Sequence, residues 1–231
     1  YSDTGYRDHQ QNDVDQVIPD VKRIEKAPLR GLFYFHTYEC LGILAALHII
    51  PNTRILFPDK DWIYHHDEPL TRYSLGQEGN NPLICFGINP STAKPNDLDP
   101  TVASVARFAR EQGYDGWLMF NLYPQRATNP DNMHRRFQKK IHDKNVEVIA
   151  RLVNDLPSGA DIWCAWGTLI EKRPYLLRCL KDIFEEIKDS ESRYYTRGNI
   201  SKAGHPHHPL YLRKDSPMEA FDVGRYLKLV S

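Results

Sequence analysis

The stretch "LICFGINPSTAKP" (residues 83–95) is the best guide to the fold of this chain. Its first half is a short, continuous apolar run, which is typical of a strand buried on both faces of a sheet. Its second half is polar at Asn89, Ser91 and Thr92 and contains two prolines, so the chain leaves the sheet there. A buried strand that ends in polar side chains leaves two alternatives open, a simple turn or the beginning of a ligand site.

Three later segments repeat this pattern of a buried strand followed by a break: "GWLMFNLY" (116–123), "ADIWCAWG" (160–167) and "SRYYTRG" (192–198). Amphipathic segments separate or follow them, namely 101–112, 144–156, 174–189 and 219–230. The first of these helices is preceded by Asp99-Pro100, a typical N-cap and first-turn pair. The alternation predicts an α/β protein with three α/β/α layers around a central parallel four-stranded sheet.

The length of 231 residues fits one α/β domain with an appended segment. We expect a mostly helical N-terminal extension over residues 1–65 and the α/β domain over residues 66–231. The apolar stretch 31–50 contains two histidines and a glutamate, which are costly in lipid, so we interpret it as a buried helix. The cluster "YHHDE" (64–68) is interpreted as a solvated turn.

The charges are balanced, with 30 Lys plus Arg against 30 Asp plus Glu, so no global field indicates a nucleic acid or a membrane. Two local stretches are nevertheless basic, residues 134–144 and 193–214. The second interleaves cations with tyrosines and contains no acidic residue, a pattern that suits a nucleic-acid backbone and splayed bases. Its candidate phosphate contacts are Arg197, Lys202 and Arg213.

The four cysteines form no Cys-x-x-Cys pair and lie in apolar contexts, so we interpret them as small buried hydrophobic residues. This favours a reducing, cytoplasmic location. The histidines of "GHPHHP" (204–209) are divided by prolines and have no partner cluster of cysteines or carboxylates, so no metal site is predicted. We expect no cofactor and no membrane partner, and the oligomeric state is left open.

The polar residues that follow the strands are the candidate site residues, because ligands of open α/β sheets lie outside the carboxyl ends of the strands. Asn89 either bonds its own turn or presents its amide to a ligand. Asn121 interrupts an apolar strand, so its side chain must find internal partners or face a pocket. The histidines at 205 and 208 lie beyond the fourth strand, where an imidazole is suited to general acid or charge-stabilising work.

Three segments together resemble the uracil-DNA glycosylase superfamily: "GINPS" (87–91), "FNLYPQRATNP" (120–130) and "HPLYLR" (208–213). The resemblance implies a glycosylase-like fold. It also implies that Asn89 positions the attacking water, that Asn121 reads the edge of the base, and that His208 stabilises charge on the leaving base. The expected base-binding or ligand-binding residues are Gly87, Ser91, Thr92, Asn121, Tyr123 and His205.

Residues from about 72 to 212 more closely resemble an uncharacterised bacterial and phage family, a domain of unknown function. The segments that carry this resemblance are "RYSL", "NPSTA", "DPT", "NLY", "ATNP", "AWG" and "HPLYL". Since that family has no assigned reaction, the resemblance implies a fold more than an activity.

Three functions follow as hypotheses. The first is a hydrolase of the uracil-DNA glycosylase type, acting on an N-glycosidic bond or a modified base in DNA or a nucleotide. The second is a non-catalytic module that binds a nucleobase or nucleotide, and the third is a scaffold whose polar segments are structural turns. The expected partner in the first two is DNA or a nucleotide, and the sequence leaves open whether the protein is an enzyme.

Overall fold

A computed structural model describes residues 56–157 and 159–230 of the chain. Within these residues the chain forms seven strands: β1 (Trp62–Asp67), β2 (Thr71–Gln77), β3 (Pro82–Gly87), β4 (Gly116–Asn121), β5 (Asp161–Cys164), β6 (Arg193–Arg197) and β7 (Met218–Ala220). The same residues contain four α-helices: α1 (Pro100–Glu111), α2 (Lys139–Asn154), α3 (Tyr175–Glu186) and α4 (Val223–Leu229). Short 3-10 helices cover Pro130–Asn132, Gly167–Lys172 and Pro209–Tyr211. The apolar stretch 31–50 lies outside the described residues.

The strands form one mixed sheet in the order β1-β2-β4-β3-β5-β6-β7. The four strands that the sequence predicts are its parallel centre, since β3 pairs in parallel with β4 and β5, and β5 pairs in parallel with β6. The prediction of a four-stranded sheet is too small, because β1 and β2 extend one side and β7 extends the other, all antiparallel to their neighbours. The fold is therefore mixed α/β with a parallel middle.

Helices cover both faces of this sheet, as the apolar strands require. In β3, Leu83 and Cys85 pack in a cluster with α1, whereas Ile84 and Phe86 pack in a second cluster with α2 and α3. Successive side chains of a strand point to opposite faces, so a continuous apolar run is what a strand covered on both sides needs. Cys85, Cys164 and Cys179 lie buried and free in these clusters, as predicted, while Cys40 is outside the described residues.

The predicted start of α1 is confirmed, because the Asp99 side chain accepts a hydrogen bond from the Val102 N–H at 2.9 Å and Pro100 opens the helix. Two other predicted helices differ from the structure. Helix α2 begins at Lys139, five residues before the predicted start at 144. The segment 219–230 is helical only from Val223, because Glu219 and Ala220 belong to the edge strand β7.

The segment "YHHDE" is not a turn, as the sequence suggested, because residues 64–67 belong to β1 and pair with β2. The sheet therefore begins at Trp62, inside the segment 1–65 that was predicted as an extension. Strand β2 is buried along its whole length although it contains Arg72 and Gln77. Both polar side chains find internal partners; the Gln77 amide, for example, donates to the Phe57 carbonyl at 2.8 Å.

Candidate functional site at the carboxyl ends of the central strands

The loops that follow β3 and β4 are joined to each other by backbone hydrogen bonds. Gly87 and Asn121 are register partners at the ends of the two strands. Just beyond them, the Tyr123 N–H donates to the Ile88 carbonyl at 2.9 Å, and the Ala127 N–H donates to the Pro90 carbonyl at 2.8 Å. The two loops are therefore held side by side at the carboxyl edge of the sheet, where ligands of α/β proteins bind.

The side chain of Asn89 fastens these two loops together. Its amide nitrogen donates to the Ala127 carbonyl at 2.7 Å and to the Pro90 carbonyl at 3.1 Å. Both donors of the amide are thus engaged within the protein, so the nitrogen of Asn89 has a structural role in this conformation.

Asn121 is buried, with 1% of its surface exposed. In the amide orientation that its neighbours favour, its nitrogen donates to the Asn89 carbonyl and its oxygen accepts from Nη2 of Arg72, both at 3.3 Å. A β-carbon at Gly87 would lie 2.8 Å from Cε of Met119 and 3.0 Å from the Asn121 amide, so a larger residue there would press on this amide. Asn121 therefore links the β3 loop to a buried arginine.

That arginine, Arg72 of β2, is only 1% exposed. Its Nη1 donates to the Ala93 carbonyl at 3.1 Å, whereas its Nε has no hydrogen-bond partner. Burial lowers the pKa of Arg72 to about 10, and the nearby Asp99 carboxylate opposes that shift. The guanidinium is still charged at neutral pH, so the carboxyl edge has a cation beneath its surface.

A second arginine, Arg126 of the β4 loop, reaches the same carbonyl. Its Nη1 donates to the carbonyls of Ser91 at 2.7 Å and Ala93 at 3.3 Å. Its Nη2 donates to the Tyr64 hydroxyl at 2.6 Å and to Oε1 of Glu68 at 3.3 Å. The positive charge of Arg126 is one cause of the lowered pKa of Arg72, because two cations that lie close together repel each other.

The hairpin between β1 and β2 holds Arg126 from the other side. The Tyr64 hydroxyl donates to Oε1 of Glu68 at 2.6 Å, so the carboxylate, the phenol and the guanidinium form one small network. The hydrogen bond from Tyr64, followed by the charge of Arg126, lowers the pKa of Glu68, which therefore stays ionised at neutral pH.

A groove of about 310 Å³ opens between the hairpin and the two loops. We call it the carboxyl-edge groove, and it is lined by Glu68, Ser91, Thr92, Lys94, Arg126, Ala127 and Thr128. Two of its hydroxyls bond each other, since Ser91 Oγ donates to Thr128 Oγ1 at 3.2 Å. Its lining is polar and includes two cations and one carboxylate. Of the sequence-predicted residues, Ser91 and Thr92 line this groove, while Asn89 and Asn121 form the structure behind it.

The predicted histidines have different surroundings. His208 is half-buried next to Gly167. A β-carbon added to Gly167 would lie 3.6 Å from Cβ of His208. Burial lowers the pKa of His208, and the charge of Asp99 opposes the shift. His205 is buried, with its Nε2 2.9 Å from Oε1 of Glu171 and its Nδ1 2.8 Å from the hydroxyl of Tyr226. His205 therefore ties a loop to helix α4.

Tyr123 and one of the three predicted phosphate contacts have internal partners. Tyr123 is buried, and its hydroxyl lies 2.9 Å from Nδ1 of His134. Arg197 is also buried: it stacks on the Phe108 ring at 3.6 Å and donates to the carbonyl of Ser216 at 3.2 Å. The basic pattern of this segment does not indicate the burial of Arg197, because β6 points this side chain into the core.

The other two predicted phosphate contacts are exposed. Arg213 forms a two-point ion pair with Asp215, with nitrogen–oxygen distances of 3.0 and 2.9 Å. Lys202 has no side-chain partner among the described residues. Segment 193–214 therefore offers fewer free cations than its composition indicates.

Sequence reasoning did not single out Arg72, Arg126, Tyr64 or Glu68 as site residues. The available signal was an arginine within a strand-like run in "RYSL" and another in "PQRAT". A cation in a segment that must be buried needs internal partners or a ligand, as the amide of Asn121 does.

Neither a metal cluster nor a membrane span is found in the part of the chain that the structure describes. Residues 56–157 and 159–230 contain no group of three or more histidine, cysteine or acidic side chains placed to hold a metal. None of the helices in these residues is long and apolar enough to cross a membrane.

A family model matches residues 72–210, which is more than half of the chain and includes strands β3 to β6 and the loops that follow β3 and β4, whereas Glu68 of the groove precedes this range. The chain belongs to the family described as "Protein of unknown function (DUF1643)". The expected membership of a family of unknown function is thus confirmed, over nearly the predicted range. Comparisons of this DUF1643 chain with curated proteins and with solved structures gave no match.

Proposed function

We propose that the carboxyl-edge groove binds a nucleotide through its phosphate. The observation that carries the proposal is the pair of guanidiniums that meet at the Ala93 carbonyl, one of them in the groove and the other buried behind it. Both have an Nε that is buried without a hydrogen-bond partner. Two neighbouring cations repel each other unless an anion lies near them, and a guanidinium is well shaped to bind a phosphate.

The size and lining of the groove support a small polar ligand. A volume of about 310 Å³ is at the lower end of the range for small-molecule sites. The hydroxyls of Ser91, Thr92 and Thr128 supply donors and acceptors for a sugar or a phosphate oxygen. The groove also lies at the strand ends where nucleotides commonly bind in open α/β sheets.

The second candidate is the N-glycosidic hydrolase that the resemblance to uracil-DNA glycosylases implies. It is favoured by the position of Asn89 and Asn121 after neighbouring strands, and by the Asp99 charge, which acts on both Arg72 and His208. Binding is the better-supported function, because both asparagine amides have partners within the protein. A hydrolase would have to release those amides before they could serve a substrate.

The test is calorimetric titration of the protein with nucleosides, nucleoside monophosphates and inorganic phosphate. Arg126→Gln should weaken monophosphate binding by about 10- to 100-fold, since hydrogen bonds to charged groups contribute roughly 1.5–3 kcal/mol. Arg110→Gln is the matched control: it removes an exposed cation from the end of α1, at the opposite edge of the sheet, and should leave the affinity unchanged.

Equal affinity for a nucleoside and its monophosphate, or equal affinity of wild type and Arg126→Gln, would contradict the proposal. The hydrolase is assayed separately by base release from uracil-containing and mismatched DNA, single-stranded and duplex, and from free nucleotides. Release that is lost in both Asn89→Ala and His208→Ala would establish the second candidate instead.

A further inference from the structure

Three exposed cations at or just before the start of α2 have no partner among the described residues. They are Arg135, Arg136 and Lys140, which we call the basic ledge. None of their side chains makes a hydrogen bond or ion pair with the described residues. Three uncompensated charges within six residues create a local positive field, although the chain as a whole is neutral.

The ledge differs from the rest of the basic stretch 134–144. Lys139, which precedes Lys140, pairs with Asp143, and Lys144 pairs with Asp67 at 2.8 Å. Those pairs neutralise the remainder of the helix face. The positive charge of this stretch is therefore concentrated at the end of α2 that lies at the carboxyl edge of the sheet.

The ledge borders a second hollow of about 520 Å³, lined by Asp131, Arg135 and Arg173. Arg173 is a structural support there, since its Nη2 donates to the carbonyls of Asp131 at 2.8 Å and Met133 at 3.1 Å. Lys172 forms an ion pair with Asp131 and lowers the pKa of that carboxyl. With Asp131 neutralised in this way, Arg135 gives the hollow an uncompensated positive charge.

The hollow and the carboxyl-edge groove lie on the same loop. Thr128 lines the groove and Asp131 lines the hollow. They are three positions apart in the sequence, so their backbones are at most about 11 Å apart at roughly 3.6 Å per residue. That span is short enough for consecutive nucleotides of one strand to use both places.

We propose that the ligand of this protein is single-stranded nucleic acid, with one nucleotide in the carboxyl-edge groove and the adjoining phosphates on the basic ledge. The inference rests on the proposed nucleotide-binding function. The groove volume is at the lower end of the range for ligand sites, which suits a single nucleotide better than a base pair and favours an unpaired strand there. Unpaired lysines and arginines are the groups that neutralise a phosphate backbone.

The test measures binding of a fluorescent 12-nucleotide single strand at several salt concentrations, with the variant R135Q/R136Q/K140Q and the matched variant R110Q/K181Q/K228Q. The matched variant removes three other exposed cations that also have no partner among the described residues. The ledge variant should lower the slope of log affinity against log salt by about 2, since each phosphate contact contributes roughly 0.7 for single strands. The matched variant should keep the wild-type slope.

Titration with a mononucleotide separates this inference from the proposed function. The ledge variant should bind the mononucleotide as wild type does and lose only the gain in affinity that the longer strand provides. Equal wild-type affinity for the strand and the mononucleotide, or an unchanged slope in the ledge variant, would overturn the inference while leaving the nucleotide groove intact. If the wild-type protein binds no mononucleotide, the proposed nucleotide-binding function is contradicted, and the inference that rests on it is contradicted as well.

Two further ligands test which class of polyanion the protein binds. A duplex of the same length should bind more weakly than the single strand, because its nucleotides are paired. Polyglutamate should bind more weakly as well, and tighter binding of polyglutamate than of the single strand would replace the inference with an acidic protein partner.

Discussion

Arg126 joins three parts of the molecule at a single guanidinium: the β3 loop, the β4 loop and the hairpin between β1 and β2. Only 13% of its side chain is exposed, and the Glu68 carboxylate lies 3.3 Å from its Nη2. Glu68 itself is half exposed, so solvent reaches this carboxylate. Glu68 occupies the side of Arg126 that the proposed phosphate would approach.

Replacing Glu68 with glutamine should therefore strengthen phosphate binding. The neutral amide still accepts a hydrogen bond from Tyr64 but no longer competes as an anion for Arg126. We expect several-fold tighter binding of a nucleoside monophosphate by calorimetry. Glu185→Gln is the matched control, because Glu185 is also an exposed carboxylate paired with a cation, Lys188, and lies on α3. Unchanged or weaker binding in Glu68→Gln would show that the carboxylate does not compete with the ligand.

Among the elements, the four central strands could be predicted from sequence because β3, β4 and β5 are continuous apolar runs separated by helical periodicity. The outer strands could not. β2 carries Arg72, Ser74 and Gln77, all buried, and each forms hydrogen bonds with residues outside β2. A local pattern does not reveal such partners, so polar residues in β2 concealed the strand. β7 has only three residues, too few for any periodicity.

The same reasoning explains what the sequence revealed about the site. Ser91 and Thr92 follow a recognisable strand, so their position at the carboxyl edge could be predicted. The basic and tyrosine-rich composition of 193–214 did not reveal that Arg197 is buried, because composition does not say which face of a strand a residue occupies. The ledge residues Arg135 and Arg136 were distinguishable from their paired neighbours only once the ion pairs were known.

Asp99, at the start of helix α1, contributes both to the fold and to the candidate site. Asp99 caps the helix and also places a negative charge near the buried Arg72. Asp99→Asn should keep the cap but remove the charge, whereas Asp99→Ala removes both. Chemical denaturation should show Asp99→Ala less stable than Asp99→Asn by about 1 kcal/mol, the usual contribution of an N-cap. Equal stabilities would mean that the side-chain cap contributes nothing here.

For the whole molecule, burial and hydrogen bonding tie the end of the described chain to the sheet. Trp166 donates its indole N–H to the Tyr226 hydroxyl at 3.1 Å, and that hydroxyl lies 2.8 Å from Nδ1 of His205. All three side chains are buried. A buried polar group that loses its partner costs free energy, so this network gives helix α4 a defined position.

Mild acid should destabilise the whole molecule. Burial lowers the pKa of His65, His134 and His208, so the unfolded chain binds more protons than the folded chain below about pH 6.5. The stabilisation that neutral histidines provide is therefore present above that pH and is lost as the pH falls. Thermal unfolding should show a lower Tm at pH 5 than at pH 7.

The contribution of His208 is isolated by His208→Asn, which still provides a side-chain acceptor for the Leu210 N–H. This variant should show a smaller drop in Tm between pH 7 and pH 5 than wild type. A drop of the same size would mean that His208 does not contribute to the acid sensitivity.

The two outermost strands of the sheet lie outside residues 72–210, the range that the family model matches. β1 has an irregular register between His65 and His66, and β7 is very short, features by which proteins avoid pairing with other molecules at a sheet edge. A fragment trimmed to the matched range would expose β2 and β6, which are longer and more regular than β7. Such a fragment would present open backbone groups to its own copies and would also lose Tyr226, the buried partner of Trp166 and His205. Its aggregation would therefore reflect lost edge protection together with a weakened core.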